Sequence, residues 1–296
     1  MYSGHDDDCN CPHCATHTTI KLGLGDNILS ALLNAAKSAF NHIKKVGKYK
    51  PEDLELPVFK RVIDETFKVF KTAVTDNDMP ETMRRALESD LFLFGGLKTH
   101  AQMTEAFSLI KDGARKSFDQ LAKELDDLNN TYNRNWLEAE YNFATASAQM
   151  AANWSKLDDT GRYNLQYRTA LDDRVRVDHA ALEGTTLPNN DPFWRNYYPP
   201  NGWNCRCTAV EVLKDDYPES DSAAAQLEGE TATTQIGKNG ENKLKIFRFN
   251  PGIDMKVMPP EHPYNKVVGA TAAGKVVETQ YKKFLNNRVL NKPREE

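Results

Sequence analysis

Two cysteines and one histidine are the residues of this sequence that are best suited to chemistry. Cys205 and Cys207 stand one residue apart at the end of PPNGWNCRC, a segment rich in turn-forming residues. A disulfide between them would be strained, because this spacing places the two Cβ atoms poorly. As thiolates they could bind zinc with His179, and a fourth ligand would come from one of three residues: Asp178, Asp191 or His262. Alternatively, both thiols are small buried packing groups, which is the interpretation that we favour.

A second group of cysteines lies near the N-terminus, in HDDDCNCPHCATH. Cys11 and Cys14 have the C-x2-C spacing typical of zinc ligands, and Cys9 and three histidines flank them. Residues 18–99 contain no second ligand pair of the kind that completes a zinc finger. A zinc site here is therefore completed locally or by the later cysteines, or else the segment is a tail with a chance affinity for metal. Zn²⁺ is the candidate cofactor, with these candidate ligands: Cys9, Cys11, Cys14, His179, Cys205 and Cys207.

Asp178 and His179 could also form a general base with its orienting carboxylate. The sequence contains no nucleophile elbow, no phosphate-binding glycine loop and no paired-carboxylate motif. Hydrogen bonds that tie His179 into a loop-rich region explain the pair equally well. We therefore predict that the protein is not an enzyme. The alternative is a zinc-dependent hydrolase or nuclease that uses His179 beside a metal bound by Cys205 and Cys207.

Composition and charge narrow the class of protein. The chain has 296 residues, 40% of them hydrophobic, which is enough for one large domain or two ordinary ones. The net charge of −4 argues against a protein that coats a polyanion, but residues 236–296 hold twelve Lys or Arg against six Asp or Glu. This basic C-terminal region could contact DNA. No apolar run is long enough to span a bilayer and the acidic N-terminus is unlike a signal peptide, so we predict an intracellular protein without membrane contact.

Apolar residues at helical spacing predict that the first half of the chain is helical. One helix begins at Asp26, a second is opened by Pro51, and a third begins at Pro80 and ends at Gly95 and Gly96. A long helix over about 98–128, a polar turn at 129–131 and another long helix then predict an antiparallel hairpin.

The pattern changes after Leu157. Alternating residues at 165–169 predict a strand, CTAVEVL at 207–213 a second and KIFRFN a third, while 215–243 reads as an exposed, partly helical insertion. Residues 275–290 predict a short basic helix. The fold class is therefore α+β: an elongated helical N-terminal region with a long antiparallel hairpin, followed by a small loop-rich mixed domain. The predicted divisions are a Cys/His-rich tail over 1–25, a helical region over 26–157 and the mixed domain over 158–296.

Four segments in order carry a resemblance to a known family. They are YRTALDDRVRVDHAALEGTTL, DPFWRNYYPPNGWNCRC, FRFNPG and PPEHPY, within residues 158–268. Together they resemble the phage Mu F-like minor head proteins, or phage head morphogenesis domain, of tailed bacteriophages and prophages. In the second segment, Gly202 is expected to allow the bend and Trp203 to anchor its centre. The family's characteristic positions map onto Arg176, His179, Gly184, Asp191, Trp194, Pro200, Gly202, Trp203, Asn204, Cys205, Cys207, His262, Pro263 and Tyr264.

The resemblance implies a minor capsid protein with no established enzymatic activity. It implies association with the portal vertex, and our hypothesis is that the helical region over 26–157 contacts portal or capsid proteins. It also implies a role in procapsid assembly and in DNA packaging or exit. The charge of the basic C-terminal region is compatible with contact to the packaged DNA. The expected location is the virion head, assembled in the bacterial host cytoplasm.

Overall fold

A computed structural model of the chain describes residues 26–113 and 116–290. The predicted metal ligands Cys9, Cys11 and Cys14 lie outside these described residues. The α+β class is confirmed, since many helices accompany a single three-stranded antiparallel sheet in the part of the chain that the structure describes. Among the same residues, no helix combines the length and apolar character that crossing a bilayer requires.

Contacts divide the described chain into two compact units. Unit 1 contains residues 73–87 and 139–261, and unit 2 contains the described residues of 22–72, 88–138 and 262–296. Each unit is therefore assembled from separated stretches of sequence. The predicted divisions after residues 25 and 157 separate continuous segments of sequence, which is a different kind of division, and they stay a prediction.

The first half of the described chain is almost entirely helical. Its α-helices are α1 (Asp26–Val46), α2 (Pro57–Thr75), α3 (Glu81–Asp112), α4 (Phe118–Asn130) and α5 (Trp136–Trp154). A 3₁₀ turn (Pro51–Glu55) precedes α2, and a π-helical turn (Thr131–Asn135) joins α4 to α5.

The second half has shorter elements. They are β1 (Tyr163–Arg168), α6 (Val177–Ala180), β2 (Thr186–Leu187), α7 (Phe193–Tyr197), β3 (Thr208–Leu213), α8 (Ser222–Ala232), a 3₁₀ turn (Lys245–Phe247), α9 (Pro251–Asp254), a second 3₁₀ turn (Pro263–Lys266) and α10 (Ala270–Leu290). The strands predicted at 165–169 and 207–213, the partly helical insertion and the C-terminal helix are confirmed. The strand predicted at KIFRFN is wrong, because Asn250 caps α9 directly after it and the segment turns instead of extending.

The prediction that Pro51 opens the second helix is wrong. Pro51 begins only the 3₁₀ turn, and α2 starts at Pro57. A proline disfavours the helical conformation in the residue before it, and Leu56 is extended with ψ 140°. The break allows Leu54 to be completely buried in unit 2, where its carbonyl accepts a hydrogen bond from Nε2 of Gln280 on α10 at 2.8 Å.

The prediction that Gly95 and Gly96 end a helix is also wrong, since α3 continues through both to Asp112. Gly96 is required by close packing within unit 2. A Cβ atom there would lie 2.3 Å from Cγ2 of the buried Val277 on α10. The glycine therefore lets α10 approach the backbone of α3, at some cost in helix propensity.

We expect Gly96→Ala to lower the free energy of unfolding by about 1–3 kcal/mol, because the added methyl group overlaps Val277. Gly95→Ala is the matched control in the same helix, since its Cβ would meet Thr66 at 3.3 Å. It should be near neutral or gain up to about 1 kcal/mol from helix propensity. Urea denaturation followed by circular dichroism measures both, and equal effects of the two substitutions would contradict the packing argument.

The hairpin turn lies before α4 and not at 129–131. Ser117 caps α4: its hydroxyl accepts from the Gln120 backbone N–H, and the Gln120 side chain accepts from the Ser117 N–H. Residues 129–131 stay helical, because the chain passes from α4 through the π-helical turn into α5. The capping box was the better boundary signal in this stretch.

Two hydrogen bonds show that the helical segments on either side of this turn are antiparallel. The hydroxyl of Tyr132 donates to Glu105 at 3.0 Å, and the amide of Asn133 donates to Gln102 at 3.3 Å. Both pairs join α3 to the π-helical turn within unit 2. Asn133 follows Tyr132 in the chain, but its partner Gln102 precedes Glu105, so the two segments run in opposite directions. The predicted hairpin is therefore present, with its turn about fifteen residues earlier than expected.

The sheet of unit 1 has the order β2–β1–β3, with antiparallel pairing on both sides of β1. Leu165 is paired with Leu187 of β2 and with Glu211 of β3. One core cluster packs against this sheet and joins the strands to the aromatic residues of α7. Its members are Met150, Leu165, Tyr167, Leu182, Leu187, Phe193, Trp194, Tyr197, Tyr198, Cys205, Cys207, Ala209, Ala225 and Ala232.

Candidate functional site

His179, Cys205 and Cys207 lie together in unit 1, and we call these three residues the Cys–His cluster. His179 is on α6, and the cysteines end the turn that leads into β3. Nδ1 of His179 lies 3.6 Å from Sγ of Cys205 and also 3.6 Å from Sγ of Cys207. The potential ligand atoms all lie within 4.8 Å of one another, and the exposed fractions of the residues are only 2%, 7% and 5%.

Arg176 holds the turn that carries the two cysteines. Nη2 of Arg176 donates to the Trp203 carbonyl at 2.7 Å, and a Cβ atom on Gly202 would lie 3.2 Å from Nη1. Gly202 therefore makes room for the guanidinium. The left-handed residue of the bend is Asn204, with φ 57°, which corrects the expectation that Gly202 supplies the bend.

Asn201 links the same turn to the central strand. Its side-chain oxygen accepts from the Tyr167 hydroxyl at 3.0 Å, and both residues are completely buried. The backbone N–H of Asn201 also donates to the sulfur of Cys205. Sequence reasoning did not single out Asn201 beyond its place in PPNGWNCRC, because a buried asparagine and an exposed turn asparagine have the same signature in sequence.

The two thiols have opposite electrostatic environments. The hydrogen bond from the Cys207 thiol, together with contacts to His179 and the Asn201 N–H, holds the pKa of Cys205 well below its usual range despite burial. The same hydrogen bond and burial raise the pKa of Cys207. Burial and the neighbouring cysteines raise the pKa of Tyr167 well above its usual value, so its hydroxyl stays protonated. Without a bound metal ion, the cluster therefore favours one thiolate next to one hydrogen-bond donor thiol.

Trp194, and not Trp203, is the fully buried tryptophan of the aromatic segment. Its exposed fraction is 0%, and its indole N–H donates to the Leu187 carbonyl at 3.4 Å. Trp203 is half-buried and packs edge-on against Phe143 and Phe247. The expectation that Trp203 anchors the centre is therefore corrected in favour of Trp194.

The residues considered as a fourth metal ligand do not join the Cys–His cluster among the described residues. Asp178 is exposed, and Asp191 accepts from the Phe193 N–H at 2.8 Å to begin α7. His262 belongs to unit 2, where Nδ1 accepts from the Tyr264 N–H at 3.2 Å. Burial, and secondarily the charge of Lys98, lower the pKa of His262 well below its usual value.

The other predicted signature residues have local roles. Gly184 adopts φ 80° between α6 and β2, and its N–H donates to the Tyr167 carbonyl at 2.9 Å. Pro200 is buried in the turn, and Pro263 opens the 3₁₀ turn that follows His262. Most of the signature thus lies around the sheet of unit 1, while His262, Pro263 and Tyr264 lie in unit 2.

Asn250 is a structural residue that sequence reasoning missed. Its side-chain oxygen accepts from the N–H groups of Gly252 and Ile253 at 2.9 and 3.1 Å, which caps α9. Its side-chain nitrogen donates to the carbonyl of Trp194 at 2.9 Å, and the residue is completely buried. The signal was present in FRFNPG, because asparagine followed by proline is typical of a helix start.

A small cavity of about 20 Å³ adjoins the Cys–His cluster. All three cluster residues line it, together with Ala170, Arg174, Val175, Arg176, Asn204 and Arg206. This volume holds about one water molecule or one ion. The arrangement can bind a small ligand on nitrogen and sulfur, but it has no room for an organic or nucleotide substrate.

Beside this cavity, Arg206 forms a two-point ion pair with Asp172, at 2.7 and 2.5 Å. The hydrogen bonds from Arg206 and a backbone bond from Arg174 lower the pKa of Asp172 to about 2. A lowered carboxyl pKa adds stability above the unfolded pKa of about 3.9, and this stability is lost as the pH falls from there towards about 2.

We expect Arg206→Gln to return the pKa of Asp172 towards about 3.9, whereas Arg174→Gln should change it less, because the Arg174 side chain lies 3.7 Å away. NMR titration of the Asp172 carboxyl group measures both variants. Equal shifts in the two would contradict the assignment of Arg206 as the main partner. The effect on stability should be small, because the pair is solvent-exposed.

Comparison with known proteins supports the resemblance seen in the sequence. Residues 105–210 match the profile of the family described as "Phage Mu protein F like protein". The chain is 39% identical over 69 residues to the "Putative capsid assembly protein F" of Escherichia phage Mu, which covers 23% of this chain and 16% of that protein. It is 32% identical over 114 residues to the "Mu-like prophage FluMu F protein" of Haemophilus influenzae, which covers 37% of this chain and 27% of that protein.

These matches confirm the predicted resemblance to Mu F-like proteins. The matched segment includes the end of α3, α4, α5, β1, β2, the first residues of β3 and the Cys–His cluster. The aligned part of the chain spans 16% of the length of the first curated relative and 27% of the length of the second. No solved structure gives a significant match to the chain.

Proposed function

Residues 105–210 make the chain Mu F-like, and from this premise we propose that it is a minor head protein of a tailed bacteriophage or prophage. It joins the portal vertex during procapsid assembly and assists DNA packaging or exit. The family match carries the proposal, because one of the matched relatives is named as a capsid assembly protein. Its partners on this proposal are the portal protein and capsid proteins.

The site geometry favours a structural role over catalysis. His179 is 2% exposed, and the adjoining cavity holds about one water molecule. A hydrolase or nuclease needs an open position where a substrate and an activated water can meet. The predicted hydrolase alternative therefore finds no support in the geometry at His179.

Particle fractionation tests the proposal. A tagged chain, expressed from the phage or prophage that encodes it, should sediment with procapsids, and crosslinking followed by mass spectrometry should recover the portal protein. An untagged capsid protein in the same gradient marks the procapsid fraction. A chain that stays in the soluble fraction while procapsids form normally would overturn the proposal.

Contact with packaged DNA through the basic C-terminal region is a separate part of the proposal. On α10, Lys275, Lys282 and Lys283 are exposed. If each of these lysines contacts one phosphate, removing all three should make the negative slope of log K against log salt shallower by about 2.7, at roughly 0.9 per contact.

The DNA test compares a triple variant, in which these three lysines are replaced by glutamine, with Lys123→Gln/Lys214→Gln, which removes two exposed lysines elsewhere. Binding to random-sequence duplex DNA is measured over a range of salt concentrations. We expect the α10 variant to lose affinity and salt dependence, and the control to retain both. No binding of the unsubstituted protein at low salt would remove DNA contact from the proposal and leave head assembly intact.

A further inference from the structure

The two nitrogen-to-sulfur distances within the Cys–His cluster match those of a tetrahedral metal site. A zinc ion binds thiolate sulfur at about 2.3 Å and imidazole nitrogen at about 2.05 Å, so that the nitrogen and sulfur ligands of one ion lie about 3.6 Å apart. Nδ1 of His179 lies 3.6 Å from each of the two Sγ atoms. The histidine nitrogen is therefore already at ligand spacing from both sulfur atoms, and all three atoms lie within 4.8 Å of one another.

A hydrogen-bonded arrangement satisfies these three groups less well. Nδ1 of an imidazole carries either one lone pair or one proton, so it can make one good hydrogen bond. Two sulfur atoms stand at the same distance from it. One cation in contact with Nδ1 and both sulfur atoms engages all three groups at once.

Charge balance also favours a divalent ion. Two thiolates and a neutral imidazole around Zn²⁺ form a neutral unit, which lowers the cost of burial. The sulfur of Cys205 receives a further hydrogen bond from the Asn201 N–H. Such outer contacts typically orient metal ligands.

We propose that His179, Cys205 and Cys207 bind one Zn²⁺ as three of its four ligands. The cavity of about 20 Å³ beside them leaves room for a fourth ligand atom. The ion would join α6 to the turn before β3, so its role is to fix the core of unit 1. This site does not depend on the proposed role in head assembly.

The first test measures zinc in the full chain, purified under reducing conditions without chelators. We expect about one Zn²⁺ per chain. Substitution by Co²⁺ should give the intense visible absorption of a tetrahedral site together with thiolate-to-cobalt charge transfer. A chain that contains no metal and does not take up Zn²⁺ or Co²⁺ would overturn the proposal. Tight binding of a different metal in place of zinc would overturn the assignment of the metal as zinc.

Variants locate the site. Cys205→Ser and Cys207→Ser should each lose most of the bound zinc, whereas the triple variant Cys9→Ser/Cys11→Ser/Cys14→Ser controls for the other thiols and should keep it. Zinc that is lost from the triple variant and retained in both single variants would overturn the assignment. Loss from all of them would mean that the N-terminal cysteines supply the fourth ligand, and the three assigned ligands would stand.

A variant that keeps a ligand at the histidine position separates metal binding from packing. His179→Cys retains a metal ligand with a different shape, and His179→Phe retains a ring without a ligand atom. We expect zinc and cobalt charge transfer to persist in His179→Cys and to disappear in His179→Phe. Retention of zinc by His179→Phe would contradict the role of His179.

Discussion

Trp194→Ala is expected to lower the free energy of unfolding by about 3–5 kcal/mol. Trp194 is completely buried in the core cluster of unit 1 and packs against Phe193 and Tyr198 at ring-centre distances of 4.8 and 6.1 Å. Removing the indole leaves a large cavity that the surrounding rings cannot fill. Urea denaturation followed by far-ultraviolet circular dichroism measures the loss without using tryptophan fluorescence.

Trp194→Phe is the control for this prediction. It keeps an aromatic ring in the core and removes the N–H that donates to the Leu187 carbonyl, so it should cost only about 1–2 kcal/mol. If the two substitutions were equally destabilising, the hydrogen bond and not the packing of the ring would account for the effect. The cavity argument would then be wrong.

Asn250→Ala is expected to cost about 2–4 kcal/mol, which is large for a polar residue in a short connecting segment. The substitution removes the cap of α9 and also leaves the buried carbonyl of Trp194 without its hydrogen bond. Asn250→Asp should also be destabilising, although it keeps the capping oxygen. It replaces the donor to that carbonyl with a buried negative charge.

Asp221→Ala is the matched control for the capping contribution. Asp221 caps α8 in the same unit through the Ala224 N–H at 2.8 Å, but it is exposed. Its removal should cost about 1 kcal/mol, the ordinary value for an N-cap. The excess loss in Asn250→Ala measures the buried hydrogen bond to Trp194. Equal losses at the two positions would show that this bond contributes nothing.

Patterns that depend on neighbouring residues were read correctly from the sequence. Helical spacing found α1 and α10, and alternation found β1 and β3, because each pattern reports the face that an element buries. The two sequence clusters that hold His179 and Cys205 were also recognised as one candidate site. Their proximity in the structure follows from the pairing of β1 with β3 and the short connection through α6.

The errors at Pro51 and at 129–131 concern local signals from Pro57 and Ser117, whereas the others depend on contacts with distant sequence. The sequence predicts a helix end at Gly96, but this glycine instead allows the close approach of Val277. The residue type alone does not show which of the two tryptophans, Trp194 or Trp203, is more deeply buried. Phe247 and Phe249 alternate as in a strand, yet both are buried without a partner strand in the sheet of unit 1. Such contacts leave no periodic signal within a local window.

The contact between Gly96 and Val277 has a consequence for folding during synthesis on the ribosome. About 180 residues separate the two positions, so a ribosome working at 5–20 residues per second needs roughly 10–40 s to deliver α10 after α3. Throughout that interval Phe92 lacks its ring contacts with Tyr281 and Phe284, at 5.1 and 6.3 Å. All residues of unit 1 are synthesised before α10. Until α10 is made, the nascent α3 presents an uncovered apolar surface on which chaperones can act.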